Sequence, residues 1–384
     1  MAEKKSSSNC LRVRVYNVRF GDAILVSIPD ENVLRHILID VGNVQAGEGG
    51  DPAVFGPVVN DVRKQLKGRP LDLYVMTHEH MDHVKGLPYA DGKLDLGLDV
   101  KYSWLTASAA PDYYKRFPDA KKLRLQAIAA LEAARMHLQA APNPRVDALL
   151  LNNDYRSTEK CVKHLRNLGK TTTYVYRDID LRGTHAFTEA RFRIWGPEED
   201  TSEYYGRFQP FAAFGFGSMS TDGNAGGQAR QDPPPGVDAR AFYNLVDSRA
   251  HGNIDNLLTI DKAANNTSVV FSIEWRGWKL LFPGDAEIRS WKTMAKYDVL
   301  EPVHFLKVGH HGSYNGTPDD DILERILPER PPDGRRRTAV VSTYLDVYSG
   351  VPDDATIETL EARCDLRSTL ELDDELFFDV YFEA

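Results

Sequence analysis

The chain has 384 residues, 42% hydrophobic and 27% charged, a globular composition with apolar material for one large domain or two ordinary ones. Its formal net charge of −9 argues against a large non-specific nucleic-acid surface, which would carry a basic stripe. No segment approaches the roughly 18 consecutive apolar residues of a bilayer-spanning helix, so no membrane partner is expected.

The opening "MAEKKSSSNC" has no apolar core of the kind a secretory signal needs. Cys10, Cys161 and Cys364 are odd in number, far apart and form no CxxC pair. That pattern fits a reducing compartment, and the expected location is cytoplasmic.

In "LRVRVYNV" Leu11, Val13 and Val15 alternate with Arg12, Arg14 and Tyr16, the period of a half-buried strand. Gly21-Asp22 is a turn signal, and "AILVSI" and "HILID" read as further strands, the last ending at Asp40. After a Gly-rich loop, "VVNDVRKQLKG" has helical spacing and a stop at Gly68. "LDLYVM" and "KYSWL" are apolar runs of strand length. From Lys121 to Ala141 the Ala/Leu/Arg/Glu-rich sequence places Ile128, Leu131, Ala134 and Leu138 on one helical face. "STEKCVKHLRNLG" predicts another helix, with Ser157 as N-cap and Gly169 at its end. Residues 107–170 are therefore expected to form a helical insertion. "TTTYVYR" and "ARFRIWG" return to strand character, and the Gly/Pro-rich stretch 215–240 is expected to be a mobile loop. The last third alternates between "SVVFSIE", "WKLLF", "HFLKV", "TAVVST", a helix "DATIETLEAR" and a strand "LFFDVYF". The expected class is α/β, a two-sheet core flanked by helices in a single domain over 1–384.

The chemistry concentrates in "YVMTHEHMDHVKGL", residues 74–87. His78, His80, Asp82 and His83 leave the end of an apolar strand, and so many ionisable groups close together need water or a shared cation. Imidazole nitrogen and carboxylate oxygen suit zinc, and equally iron or manganese. A His-rich surface turn would account for the cluster alone, but other strand ends repeat the pattern. Asp40 follows "HILI", Gly284-Asp285 follows "WKLLFP", and His310-His311 follow "HFLKVG". Glu79 points away from its neighbours in an extended segment and is not assigned to a metal.

"VYNVRFGDAILVSIPD", "LIDVGN", "THEHMDHVKGL", "NNTSVVFSIEWRGWKLLFPGD" and "LKVGHHGS" together resemble the metallo-β-lactamase fold hydrolases. Within them the motifs, in this order, resemble the soluble hydrolase domain of the DNA-uptake competence proteins, with the phosphorylcholine esterases similar around the same motifs. The resemblance implies an αββα metallo-β-lactamase sandwich carrying the helical insertion. It implies two divalent metal ions, zinc foremost, with manganese or iron as alternatives. His78 and His80 would hold the first ion, and Asp82, His83 and one histidine of the HHGS pair, His311 in preference to His310, the second, with Asp285 bridging. Asp40 would orient a ligand histidine, and His310 would hydrogen-bond substrate or leaving group, so Asp82, Asp40 and His310 are the expected catalytic side chains. Such a pair of ions acidifies a shared water and clamps developing negative charge. The expected reaction is hydrolysis of a phosphodiester, in a nucleic acid or a small molecule. A carboxylic ester, lactone or thioester hydrolase, or a metal-stabilised binding module without catalysis, are the alternatives. Two departures stand out: no motif supplies a third histidine for the first ion from His137, His164, His185 or His251, and Val351-Pro352 stands where the resembled domains often have His-Pro.

Overall fold

The alternation of the first strand decides which way its side chains face. Leu11, Val13 and Val15 enter an apolar core, while Arg14 turns to the opposite face and is held there by Asp61 at 2.6 Å and Asp379 at 2.8 Å. A computed structural model of the chain describes residues 9–44, 48–138, 153–205, 261–348 and 350–384, so the expected loop 215–240 and residues 139–152 of the helical segment lie outside the described residues.

The strands among the described residues are β1 (Cys10–Tyr16), β2 (Ala23–Asp30), β3 (Val33–Val41), β4 (Leu71–Met76), β5 (Val100–Thr106), β6 (Gly169–Val175), β7 (Ala190–Gly196), β8 (Val270–Trp275), β9 (Trp278–Phe282), β10 (Phe305–Lys307), β11 (Thr338–Val341), β12 (Asp365–Ser368) and β13 (Phe377–Glu383). They make a seven-stranded sheet ordered β13-β1-β2-β3-β4-β5-β6 and a six-stranded sheet ordered β12-β11-β10-β9-β8-β7. Both sheets are mixed. In the first, β13 through β3 pair antiparallel and β3 through β6 parallel. In the second, β12 through β9 pair parallel and β9 through β7 antiparallel. Parallel neighbours bring their carboxyl ends to one rim, the edge at which open α/β sheets carry their ligands.

The inner faces of the two sheets meet in one apolar core, with Val13, Val26, Ile39 and Val75 from the first sheet against Phe271, Trp275, Phe282 and Phe305 from the second. Helices α1 (Phe55–Leu66), α2 (Met81–Val84) and α3 (Gly86–Leu94) follow in the first half, then α4 (Tyr113–Arg116), α5 (Pro118–Leu138) and α6 (Tyr155–Arg166). Val58, Val62, Ala90, Val162 and Leu165 from α1, α3 and α6 cover the outer face of the seven-stranded sheet. The outer face of the other is covered by Trp291 and Met294 of α7 (Ile288–Lys296), Leu323 of α8 (Asp320–Ile326) and Leu360 of α9 (Asp354–Arg363). The architecture is thus α/β, two mixed sheets face to face with helices outside both.

The α6 boundary differs from expectation. Asp154, not Ser157, is the N-cap, accepting from the Arg156 backbone N–H and from the Ser157 hydroxyl at 2.7 Å, and Gly169 opens β6 instead of closing the helix. An ionised side chain three residues earlier outcompetes the hydroxyl at a helix start. Since β5 and β6 are parallel, the chain between them must cross the sheet, and α6 belongs to that crossover. No helix of the described residues is long and apolar enough to cross a membrane.

Candidate metal centre

The rim where the parallel strands end collects the polar groups. Asp40 is the next-to-last residue of β3, Thr77 follows β4, and His80 leads into α2, whose single turn presents Asp82 and His83. From the other sheet come Asp285 after β9, His310 and His311 after β10, and Ser342 after β11. Asp40, His78, His80, Asp82, His83, Asp285 and His311 are all 3% exposed or less. Asp40, His310 and His311 take left-handed backbone at φ of 50°, 47° and 54°, a strained conformation for non-glycine residues that concentrates at functional sites. Two glycines permit the close approach. A Cβ on Gly42 would stand 2.4 Å from the Asp82 backbone, and one on Gly284, itself at φ +55°, would stand 2.8 Å from the Thr77 Cβ.

Hydrogen bonds fix the tautomer of each imidazole. The Thr77 hydroxyl donates to Asp40 Oδ2 at 2.6 Å, so toward His78 Nδ1, 3.1 Å away, it accepts. His78 Nδ1 therefore carries the proton and Nε2 a lone pair. Asn153 Nδ2 donates to Asp261 at 2.8 Å, which turns Asn153 Oδ1 to accept from His80 Nε2 at 3.0 Å and leaves the lone pair on His80 Nδ1. His78 Nε2 and His80 Nδ1 face each other at 3.1 Å. Two lone pairs aimed at one point repel unless a cation lies between them.

The second half is built the same way. His83 Nδ1 donates to Asp40 Oδ2 at 2.9 Å and His311 Nδ1 to the Ser342 carbonyl at 2.7 Å. Their Nε2 atoms turn inward, His83 to 3.1 Å from Asp285 Oδ2 and His311 to 3.4 Å from oxygens of both Asp82 and Asp285. Ligand atoms of Asp82, His83, Asp285 and His311 all lie within 4.8 Å of one another. His311 Nε2 is buried and makes no hydrogen bond, the mark of a donor set waiting for a cation. In the metal-free chain protons substitute. Burial disfavours imidazolium, yet Asp285 and Asp82 raise His83 well above its usual range and Asp285 carries His311 up to about 9. Burial would raise Asp82 and Asp285, but the facing imidazoles hold both carboxylates low. Burial, with the charges of His83 and His80, holds His78 well below its usual range against the smaller pull of Asp285 and Asp82, so it stays neutral.

The donor set therefore suits borderline divalent cations, with two imidazoles on one side and a pair of imidazoles with a pair of carboxylates on the other. All of the residues expected as ligands, His78, His80, Asp82, His83, Asp285 and His311, come together, and Asp40 sits behind them bonded to His83 and Thr77. His310 lies beside the centre: its backbone N–H donates to Asp285 at 3.2 Å, and its ring is 3.3 Å from Asn265 Nδ2 and 3.5 Å from Glu287. Burial, with Asp261 nearby, pushes Glu287 up to about 8, so at neutral pH it keeps its proton. Glu79 stays outside, 3.9 Å from Arg124. His164 is 3.9 Å from Asp91 and His185 packs on Trp104 and Phe192, so neither supplies a third imidazole, while the His137 side chain and His251 lie outside the described residues.

Several members had no sequence signal of their own. Thr77, Asn153, Asp261 and Glu287 act through contacts across the fold. Asp22, expected only as part of a turn, is buried and meets the equally buried Lys307 at 2.5 Å. Asn265, which a turn would explain, donates to Glu287 at 2.9 Å. The one available clue was proximity to a strand end, which Thr77 and Lys307 share with the ligands. No family model matches the chain, and no curated protein matches it.

Proposed function

We propose that the chain is a dinuclear metal-dependent hydrolase of metallo-β-lactamase fold that acts on phosphodiester bonds. The observation that carries the reading is the inward convergence of four imidazoles, each with its outer nitrogen committed to Asp40, Thr77, Asn153 or Ser342. Structural metal sites are closed tetrahedra and do not need two adjacent donor groups sharing carboxylates. His78 and His80 would hold one ion, His83, Asp82 and His311 the other, and Asp285 both. When bound, two divalent ions, zinc foremost, supply an acidified water and a positive clamp for developing negative charge.

The chain's own groups prepare the site for that chemistry. Asp40 holds His83 in its tautomer directly and His78 through Thr77, so one carboxylate aligns ligands of both halves. His310 and Asn265 stand at the edge of the centre, where they can bond a substrate oxygen or leaving group. The phosphodiester target follows from the resemblance of "THEHMDHVKGL" and "LKVGHHGS" to the competence-type hydrolase domains. Buried Cys161 and Cys364, both with free thiols, agree with a reducing location such as the cytoplasm.

The test is turnover of bis-p-nitrophenyl phosphate by protein reconstituted separately with zinc and with manganese, beside Asp82→Ala. The expected result is metal-dependent turnover that falls by at least about 1,000-fold in the variant. A fully loaded protein that leaves this diester intact but opens a carboxylic ester would move the target to that class. Loaded protein inert toward both would leave only the binding-module role.

A further inference from the structure

We propose that the Tyr348 hydroxyl is the substrate-side hydrogen-bond donor of this centre, bonding a non-bridging oxygen of the phosphoryl group presented to Asp82, Asp285 and the imidazoles. The identity of that anion rests on the hydrolase reading; the position of the donor does not. The Phe20 ring lies 4.4 Å from the His311 ring and 5.0 Å from the Tyr348 ring, so one aromatic side chain separates Tyr348 from a ligand imidazole. The loop that carries Tyr348 is docked on the histidine turn itself. Asp353 N–H donates to the Gly312 carbonyl at 2.9 Å, and Pro352 lies so close that a Cβ on Gly312 would stand 3.2 Å from its own Cβ.

Within that loop the phenol is the unsatisfied group. Its oxygen is buried and has no hydrogen-bond partner among the described residues, which is rare for a buried phenol. Burial raises its pKa well above 10, and the charges of Asp82 and Asp261 raise it further, so the hydroxyl keeps its proton and donates. Neither carboxylate takes that hydrogen bond. A buried donor that no described group engages is free for an acceptor that arrives with the substrate. No proton is transferred to or from the phenol in this role; it stabilises charge on the phosphoryl oxygen as the attacking oxygen bonds to phosphorus and the leaving-group bond breaks.

The experiment compares wild type, Tyr348→Phe and Tyr344→Phe, all zinc-loaded, for calorimetric binding of inorganic phosphate, zinc content and turnover of bis-p-nitrophenyl phosphate. Tyr344 is the neighbouring phenol, beneath Arg19 at 5.8 Å, and serves as control for the loop. Tyr348→Phe keeps the ring against Phe20, so zinc content is expected to stay the same. Its phosphate affinity is expected to fall about tenfold and its kcat about 100-fold, while Tyr344→Phe matches wild type. Unchanged phosphate affinity in Tyr348→Phe, equal losses in both variants, or a wild type that binds no phosphate would each overturn the inference. Weakened phosphate binding in a protein that turns over no diester would keep the donor and remove the hydrolase reading.

Discussion

His311 is the residue at which stability and metal binding meet. With no cation present its folded pKa of about 9 lies above the ordinary 6.5, because Asp285 outweighs the effect of burial. A group raised in this way contributes stability that is fully present below pH 6.5 and lost as pH climbs through 9. Glu287, raised by burial from 4.5 to about 8, slopes the same way, since between those values the folded chain holds a proton that the unfolded chain has released. The metal-free protein should therefore lose stability steadily from pH 6.5 to 9. A bound cation replaces the His311 proton, so affinity for metal should rise over that same interval. Melting temperatures of chelator-treated and zinc-loaded protein at half-unit steps across the window check this. A chelated protein whose melting temperature stays flat would mean that the inward-facing imidazoles carry no such protons.

At the scale of elements, the strands and their ends were readable and their partners were not. "LDLYVM" followed by His78, His80, Asp82 and His83 puts apolar pattern and chemistry in one contiguous stretch, and Asp285 and His311 repeat it at β9 and β10. The pattern works because a strand end in a parallel sheet has one side chain position facing the rim, whatever the rest of the fold does. The groups that set tautomers obey no such local rule. Asn153 reaches His80 across 73 residues of sequence, and its partner Asp261 is 108 residues further on. Nothing near Asn153 marks it, since it precedes the capping Asp154 as an ordinary loop residue would. The helical segment thus delivers a site residue as well as covering a sheet. Asn153→Ala removes the acceptor that holds the proton on His80 Nε2, freeing the ring to present its proton to the metal position instead. Affinity at the His78–His80 position should drop about 10- to 100-fold, with the second position unaffected. Competitive zinc titration resolving two stoichiometric steps measures it, and equal weakening of both steps would count against separate positions.

Across the whole molecule, both sheets contribute to the donor set. His78, His80, Asp82 and His83 come from the seven-stranded sheet, and Asp285 and His311 from the six-stranded one. Bound metal would therefore join the two layers at the rim, where the interior is polar, while Val13, Phe271, Trp275 and Phe305 join them further in through apolar contact. The buried Asp22–Lys307 pair is a second polar tie at the same edge, because Asp22 precedes β2 and Lys307 ends β10. That pair persists without metal, so stripping the ions should loosen the rim and leave the apolar interface intact. Ligand at 100 times its dissociation constant adds about 2.7 kcal/mol to the folded state, so the chelated protein should still unfold in one transition at a lower temperature. Hydrogen exchange locates the difference. Chelation should speed exchange at 77–84 and 284–313, where the ligands and their turns lie, and leave β1, β2 and β13 protected, since their pairing and the Arg14 contacts with Asp61 and Asp379 owe nothing to the rim. Uniform acceleration over both regions would instead mean that the cations hold the two sheets together throughout, and that the apolar core is too weak to do so unaided.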